Sequence, residues 1–158
     1  FGKFEDHLMY LKLLYLGFKI YCFLFRPIRM GIRVLMEKDD QVWLVRHTYM
    51  TGWFLPGGGL KRLETLDEAA RREALEETGA KLGAISLLGI FTNFSDWKTD
   101  HTAVFLCREF EFTGKPDAEI AEMRAFPLDN LPGNTYPPNL RLLKKHREGT
   151  IISNFGRW

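Results

Sequence analysis

Three glutamates within one short stretch are the residues of this sequence best suited to chemistry. Glu73, Glu76 and Glu77 stand at positions i, i+3 and i+4, so on a helix their carboxylates share one face, within an arc of roughly 100°. Like charges at these spacings repel one another by roughly a few tenths of a kcal/mol per pair. A cation that offsets the repulsion is therefore expected. Clustered carboxylate oxygens favour a hard divalent ion such as Mg²⁺ or, as the alternative, Mn²⁺.

A glycine-rich turn precedes these acids. Pro56 is followed by Gly57, Gly58 and Gly59, which allow positive φ angles and a close approach of the backbone to a ligand. Backbone N–H groups beside a helix N-terminus suit phosphate oxygens, and Mg²⁺ usually completes its coordination with substrate phosphates. The turn and the acidic face together predict a site for a phosphate compound and a metal ion. Taken singly, they have plainer interpretations as an ordinary loop and a solvated helix face.

The joint spacing of the two features favours the functional interpretation. Residues 58–80, GGLKRLETLDEAARREALEETGA, resemble the Nudix box, the signature of the Nudix hydrolase (MutT-like) superfamily. The seven invariant positions of that box are occupied here by Gly58, Glu64, Arg72, Glu73, Glu76, Glu77 and Gly79. The departures are Leu63, where glycine is common, and the small Ala74 and Ala80 at aliphatic positions. They concern the shape of the loop, because none of the three carries a metal-binding or proton-transfer group.

The resemblance covers about residues 30–145 and implies an α/β fold, a Nudix-type α/β/α sandwich with a mixed sheet. It also implies that Glu73, Glu76 and Glu77 bind the catalytic divalent ions, helped by a backbone carbonyl near Gly57. The carboxylate that takes the proton from the attacking water varies within the family. Here Glu73 is favoured for that role, and Glu76 is the second residue assigned to catalysis.

Further positions follow from the same resemblance. Gly58, Glu64 and Arg72 are expected to support the site, since an arginine–carboxylate fork is well suited to holding the helix and its acids in place. Family members often take another metal-binding carboxylate from a loop near the last core strand. Glu119 is the best match for that carboxylate, and the alternatives are Glu122 and Asp100.

The reaction implied by the resemblance is Mg²⁺-dependent hydrolysis of a phosphoanhydride bond in a nucleoside diphosphate linked to another moiety. Water activated by the metal attacks phosphorus. The alternative is a Nudix domain that senses such a nucleotide without hydrolysing it. Sensors of that kind tend to lose acids of the box, and none is missing here. The enzyme is therefore the favoured hypothesis.

The sequence says less about the substrate. Arg46 could contact phosphate and Trp53 could stack on a base or sugar, although packing is the plainer role for any one aromatic ring. The further aromatic candidates are Tyr49, Phe94 and Trp97. The downstream proline or tyrosine that marks some subfamilies is absent between residues 81 and 113. The expected partner is thus a small nucleotide-type diphosphate of undefined identity.

The elements that must position these residues can be outlined from local signals. Thr65 and Glu68 form a capping box and Gly79 is a suitable C-terminal cap, which together predict a helix over residues 66–78. Alternation from residue 29 onward places Ile32, Val34 and Met36 on one face of a strand. Strand Gln41–His47 follows a turn at residues 39–40. The later elements are predicted as strands Leu82–Phe94, Thr102–Phe112 and Glu122–Leu128 and a closing helix Pro137–Arg147.

A strongly apolar stretch precedes this domain. Residues 8–25 are almost wholly apolar, and Pro27 ends the predicted helix. Glu5, Lys12, Lys19 and Arg26 recur every seven residues, which predicts an amphipathic helix with a narrow polar stripe. Its wide apolar face is expected to pack on the domain or on a second copy of the chain. Peripheral contact with a membrane surface through residues 4–26 is the next alternative, and a membrane span is the last.

Composition sets the remaining bounds. A length of 158 residues suits one core, with residues 1–27 as an accessory helix and residues 28–158 as the Nudix domain. The formal net charge of +2 gives no support for a nucleic-acid partner. Cys22 and Cys107 are interpreted as buried thiols in a reducing compartment, and no secretory cleavage site follows the apolar stretch. A cytoplasmic protein, in peripheral contact with a membrane in one alternative, is expected.

Overall fold

The structure, a computed structural model, describes the backbone of residues 2–95, 97–151 and 154–158 and the side chains from residue 13 onward within those ranges. The helices are α1 (Gly2–Phe25), α2 (Leu66–Thr78) and α3 (Pro137–Arg147). The strands are β1 (Ile28–Lys38), β2 (Gln41–His47), β3 (Ala80–Leu82), β4 (Ile85–Ser95), β5 (Lys98–Cys107), β6 (Phe110–Phe112), β7 (Ile120–Pro127) and β8 (Phe155–Arg157).

A mixed sheet forms the centre of the domain. Its strand order is β7-β2-β1-β5-β4-β8, and β3 pairs with β6 in a separate two-stranded ribbon. Strand β1 runs parallel to β5 over residues 28–36 but pairs with β2 only at Glu37 and Lys38. The remaining edge of β1 is therefore free for another segment of the chain.

Two helices cover the two faces of this sheet. On one face, Ile32, Val34 and Met36 pack against alanines of α2, as the alternation predicted. On the other face, Leu35 packs in a second cluster with Leu142 and Leu143 of α3, because successive side chains of a strand point to opposite sides. The predicted α/β/α sandwich with a mixed sheet is confirmed.

Helix α2 begins and ends where its local signals predict. The Thr65 hydroxyl accepts a hydrogen bond from the Glu68 N–H at 3.2 Å, and the Glu68 carboxylate accepts one from the Thr65 N–H at 2.8 Å. At the other end, Gly79 takes a left-handed conformation with φ of 70°. Both ends are fixed by contacts within a few residues, so the register of the acids on the helix is fixed too.

The predicted strands over residues 82–94 and 102–112 were each too long. The chain passes from the β3–β6 ribbon into the main sheet between β3 and β4, and it leaves the main sheet between β5 and β6. Gly83 donates a hydrogen bond from its backbone N–H to the Glu109 carbonyl at 2.6 Å, close to the β3–β6 ribbon. That pairing joins segments more than 20 residues apart, so no local pattern announces it.

Helix α1 contacts the domain sparingly over the part whose side chains are described. Cys22 is buried and the Phe23 ring meets the Trp97 ring edge-on at 5.2 Å, yet most apolar side chains between residues 13 and 25 are exposed. Packing on the domain therefore covers little of this apolar face. Lys19 and Arg26 of the predicted polar stripe are exposed, while the side chains of Glu5 and Lys12 lie outside the described residues. Within the described part of the chain, no helix has the length and apolarity needed to span a lipid bilayer.

Candidate active site

The glycine turn lies along the free edge of β1. The Ile32 N–H donates to the Gly58 carbonyl at 2.9 Å, and the Val34 N–H donates to the Pro56 carbonyl at 2.8 Å. A further bridge joins Gly31 and Gly59. The turn thus occupies the position of a strand beside the first half of β1. These hydrogen bonds hold the backbone of the turn against the sheet.

Two glycines of this turn are required by its geometry. Gly57 has φ of 143°, and a Cβ atom there would lie 2.2 Å from the Ile32 carbonyl oxygen. A Cβ atom on Gly58 would lie 2.6 Å from Oε1 of Glu73. The turn therefore approaches both the sheet and the acidic helix face more closely than any side chain would allow.

Glu77 is the most enclosed of the three helix acids. Its exposed fraction is 8%, and one carboxylate oxygen accepts a hydrogen bond from the Gly57 N–H at 2.9 Å. Burial raises the pKa of Glu77 to about 7, although the Gly57 hydrogen bond and the nearby Arg33 act in the opposite direction. A buried carboxylate with so little compensation is well suited to bind an added cation.

Arg72 joins the other acids of this face. It donates to both oxygens of Glu64, at 2.6 and 2.9 Å, and to Glu73 at 2.6 Å and Glu76 at 3.0 Å. A remaining N–H reaches the Gly59 carbonyl at 3.1 Å. The Arg72 hydrogen bonds lower the pKa of Glu64 to about 2. The guanidinium group of Arg72 therefore links the glycine turn to Glu64 and to two of the three helix acids.

The residues present fit a divalent metal ion by their chemistry. Glu77 accepts a hydrogen bond from Gly57 and Glu73 lies against Gly58, while Glu76 shares their helix face. Their carboxylate oxygens and the Gly57 carbonyl are hard donors of the kind that Mg²⁺ prefers. As arranged, the described residues contain no cluster of three or more acidic, histidine or cysteine side chains already converged on one point. Arg72 holds one oxygen of Glu73 and one of Glu76, and the Gly57 N–H holds one oxygen of Glu77. An ion would be bound through the other oxygen of each carboxylate.

Arg33 is a site residue that the sequence pattern did not reveal. Its side chain is partly buried and donates a hydrogen bond to the Gly57 carbonyl. Desolvation lowers its pKa, while the charges of Glu77 and Glu73 oppose that shift. The only sequence signal is a charged residue between Ile32 and Val34, in a strand that is buried on both faces. Arg33 thus places a positive charge at the carbonyl assigned to the metal.

His47 is a second residue that was missed. Its Nε2 lies 3.8 Å from a Glu77 oxygen, its Nδ1 is buried without a hydrogen-bond partner, and burial lowers its pKa. The ring contacts Tyr49 at 5.3 Å between centroids. Burial also raises the pKa of the half-exposed Tyr49. His47 therefore lies next to Glu77 with one ring nitrogen that has no described hydrogen-bond partner.

The candidates for a further carboxylate lie in three different places. The Glu119 carbonyl accepts a hydrogen bond from the Thr48 N–H at 2.9 Å. The sequence did not single out Asp117, which donates its backbone N–H to the Glu76 carbonyl at 2.9 Å. Asp117 thus lies at the end of α2, and the charges of both acids act on His47. Glu122 is bound to Arg46 at 2.9 Å, and Asp100 lies on β5. The Asp117–Glu119 loop is thus the one nearest the acidic helix.

The two predicted substrate-binding residues lie on the α3 side of the sheet. Trp53 is buried among the residues that pack on α3, and the Arg46 guanidinium lies over its ring at 6.0 Å. His47 points the other way, toward Glu77, because side chains alternate along β2. The structure thus brings Arg46 and Trp53 together but separates them from the acidic face.

A cleft of about 310 Å³ opens beside the glycine turn. Gly58 and Gly59 form one wall and Arg33 forms part of its floor, with Asp100 and His101 of β5 opposite. The aromatic lining residues, Tyr136 and Trp158, were not predicted from the sequence. Since the Glu73 carboxylate lies against Gly58, the cleft adjoins the acidic face. It is of a size that holds a small ligand.

The α/β/α sandwich places a glycine turn against β1 and a capped acidic helix beside that turn. Residues 26–146 match the model of the NUDIX domain. The match covers well over half of the chain, so the protein belongs to the NUDIX family. The resemblance carried by residues 58–80 is confirmed.

Individual relatives agree with this assignment. Over 71 residues the chain is 42% identical to diphosphoinositol polyphosphate phosphohydrolase 3-alpha of Mus musculus. The matched segment covers 44% of this chain and 43% of that protein. Over 80 residues it is 40% identical to the RNA pyrophosphohydrolase of Xanthomonas campestris, spanning 51% and 38% respectively. The chain thus matches less than half the length of these relatives.

Solved structures share the fold. The MutT NUDIX hydrolase from Burkholderia pseudomallei superimposes with a TM-score of 0.66 and 25% identity, over 74% of this chain and 96% of that one. A UDP-X diphosphatase superimposes with a TM-score of 0.60 and 25% identity, over 81% of this chain and 66% of that chain. In both comparisons most of the present chain is matched.

Proposed function

We propose that this protein is a metal-dependent pyrophosphohydrolase that cleaves a phosphoanhydride bond in a nucleoside diphosphate linked to another moiety. The observation that carries the proposal is the position of Glu73, Glu76 and Glu77, on one helix face, against the glycine turn and beside the cleft. The names of the relatives support it, since two of them are hydrolases of diphosphate or pyrophosphate groups.

Glu73, Glu76, Glu77 and the Gly57 carbonyl would hold the ion, with Mg²⁺ as the first choice and Mn²⁺ as the alternative. Glu119 is the additional ligand proposed from the loop before β7. When bound, a divalent ion would neutralise the charge of the diphosphate and lower the pKa of a bound water. These residues supply only oxygen donors, which matches the preference of both ions.

Glu73 is the proposed acceptor of the proton from the attacking water, with Glu76 as the second catalytic carboxylate. The support for Glu73 is its position against Gly58, a residue that lines the cleft in which a diphosphate would bind. Arg72 and Glu64 are positioning residues, since the guanidinium group holds Glu73 and Glu76 at 2.6 and 3.0 Å. Loss of that contact would leave both acids free to rotate.

Arg33 contributes a fixed positive charge on the floor of the cleft. It lies within reach of the Gly57 carbonyl and lines the space beside Gly58 and Gly59. A guanidinium group presents several N–H donors and suits phosphate oxygens. We assign it to charge compensation of the bound diphosphate, a role for which the distant Arg46 is less well placed.

Binding without turnover is the second candidate function. It would require an acidic face that no longer supports metal chemistry, whereas here all three acids are present and Glu73 lies against Gly58, which lines the cleft. The partner in either case is a small nucleotide-type diphosphate. We retain the division into an accessory helix over residues 1–27 and a catalytic domain over residues 28–158, and a cytoplasmic location, as further parts of the proposal.

A substrate panel separates the two functions. Nucleoside triphosphates, nucleotide sugars, ADP-ribose and dinucleoside polyphosphates would be incubated with the protein and Mg²⁺, and phosphate-containing products would be measured. Hydrolysis of one class that stops on addition of a chelator is the expected result. Tight binding of a nucleotide in calorimetry, with no product formed from any class in Mg²⁺ or Mn²⁺, would establish the sensor instead.

A further inference from the structure

The described part of α1 carries an unusually large exposed apolar surface. Ten large apolar side chains between residues 13 and 25 each expose between 41% and 68% of their area. Leu13, Leu24 and Phe25 lie at the upper end of that range, at 60%, 65% and 68%. Surface helices of water-soluble domains normally bury such residues, so this surface calls for a partner.

The directions in which these side chains point distinguish two kinds of partner, a helix of a second copy and lipid. Leu13, Leu14, Tyr15 and Leu16 are consecutive and all exposed, and at 100° per residue they point to most sides of the helix. A helix from a second copy would cover one seam and leave the other sides in water. Lipid acyl chains can enclose a broad apolar arc while Lys19 reaches past them to the headgroups.

The apolar surface continues from the helix onto the domain. Ile28 at the start of β1 exposes 76% of its area, and Phe94 and Trp97, at the tip of the β4–β5 hairpin, expose 57% and 59%. The Trp97 ring contacts the Phe23 ring at 5.2 Å, so the hairpin tip and the helix form one surface. We refer to residues 13–25 with Ile28, Phe94 and Trp97 as the apolar patch.

Among the described residues, most charges around the apolar patch are positive, while Asp96 precedes Trp97 in the sequence. Residues 13–36 contain no aspartate or glutamate, and Lys19, Arg26 and Arg29 lie among or next to the apolar side chains. Lys98 approaches the Phe18 ring at 5.9 Å. Asp100 is the nearby described acid, and it is shared between Arg29 at 3.9 Å and Lys98 at 4.0 Å. Aromatic and basic side chains around an apolar surface suit the headgroup region of an anionic bilayer.

We propose that the apolar patch binds the surface of a membrane that contains anionic phospholipid. Acyl chains and headgroups would cover the apolar side chains, and the basic residues would contact the lipid phosphates. Arg29 and Asp100 border the patch and also line the cleft. The bound protein would therefore hold its cleft next to the lipid headgroups. This inference is independent of the hydrolytic activity proposed above.

The test is flotation of the full chain with vesicles of phosphatidylcholine alone and of phosphatidylcholine with phosphatidylglycerol. We expect the protein to float with the anionic vesicles and to float less with the neutral ones. Leu24→Gln/Phe25→Gln should lower the partition coefficient by about tenfold, because two exposed apolar side chains of the patch are lost. Leu87→Gln, at a leucine 49% exposed on β4 outside the patch, is the matched control and should not change it.

Circular dichroism and thermal unfolding would show that the variants are folded. Equal flotation of Leu24→Gln/Phe25→Gln and the unaltered protein would overturn the proposal. So would a stable dimer in sedimentation that fails to float with either vesicle, since a second copy would then be the partner. Retention through an alkaline carbonate wash would overturn surface binding in favour of insertion across the bilayer.

Discussion

At the scale of single residues, the position of Glu77 is the main physical feature of the site. The helix cap and the glycine turn bring this carboxylate into a place where it receives one backbone hydrogen bond and little water. Solvent would stabilise the charge better than these contacts do, and burial accordingly raises its pKa to about 7. A site that binds a cation can tolerate the buried carboxylate of Glu77, because the bound ion would stabilise its negative charge.

Glu77 makes the stability of the metal-free protein depend on pH. An acid whose pKa is raised in the folded state binds its proton more tightly there than in the unfolded chain. The contribution of Glu77 to stability is therefore fully present below its ordinary pKa of 4.5 and is lost as pH rises through about 7, by about 3 kcal/mol in total. Denaturant unfolding in the presence of a chelator should show this decline, and Glu77→Gln should remove it. An identical decline in that variant would contradict the assignment.

Arg72 is expected to act by orientation rather than by charge alone. Arg72→Lys keeps the charge but cannot bind both oxygens of Glu64 while holding Glu73. We predict a fall in kcat of roughly 10-fold to 100-fold with KM little changed. Steady-state kinetics would measure this, with Arg108→Lys, an exposed arginine bound to Glu37, as the control. A rise in KM alone would indicate that Arg72 binds substrate directly.

The residues that sequence reasoning missed share one physical reason. Arg33 and His47 act through contacts with the glycine turn and α2, which lie 24 and 30 positions further along the chain. On a strand, each looks like an ordinary polar residue between apolar neighbours. The helix acids were found because their arrangement depends only on helical spacing, which is a local property.

At the scale of elements, α2 was predicted with its observed ends, while the strands were predicted less well. The ends of α2 depend on Thr65, Glu68 and Gly79, all within reach of the helix itself. The breaks after β3 and β5 depend on pairing between Gly83 and Glu109, and the short β8 depends on parallel pairing with β4. Local patterns determine helix ends well, but they do not encode which distant strand will be the neighbour.

The capping box of α2 gives a prediction at this scale. Thr65→Ala removes the side-chain acceptor at the helix N-terminus and should lower the free energy of unfolding by about 1 kcal/mol. Thermal unfolding should then occur about 2–4 °C lower. Thr51→Ala, at an exposed threonine outside a helix, should have no such effect. Equal melting temperatures for the two variants would show that the cap contributes nothing.

At the scale of the whole molecule, metal binding and folding should be linked. The acids of α2 and the carbonyl of Gly57 come together only in the folded chain, so the proposed divalent ion would bind that state alone. At 100 times its dissociation constant it would raise the free energy of unfolding by about 2.7 kcal/mol. Because Glu77 must lose its proton first, the increase should be larger at pH 8 than at pH 5. Thermal unfolding with and without Mg²⁺ at the two pH values measures it, and an equal increase at both would contradict the link.

The family and the architecture of the whole chain were predictable because one contiguous segment carries the signature. The substrate could not be predicted, because the residues that line the cleft come from separate parts of the sequence. They include Arg33, His101, Tyr136 and Trp158. The exposed surface of α1 was likewise undetermined, because apolarity alone does not say whether a protein or a lipid covers it.

The most direct test of the central claim compares Mg²⁺-dependent hydrolysis by the unaltered protein, by Glu76→Gln and by the control Glu111→Gln, an exposed acid on β6. The substrate is whichever nucleotide diphosphate the panel identifies, and circular dichroism establishes that all three proteins are folded. We predict that Glu76→Gln loses roughly 10²-fold to 10⁴-fold in kcat, while Glu111→Gln retains full activity. Unchanged turnover by a folded Glu76→Gln protein would contradict the assignment of the acidic face to catalysis.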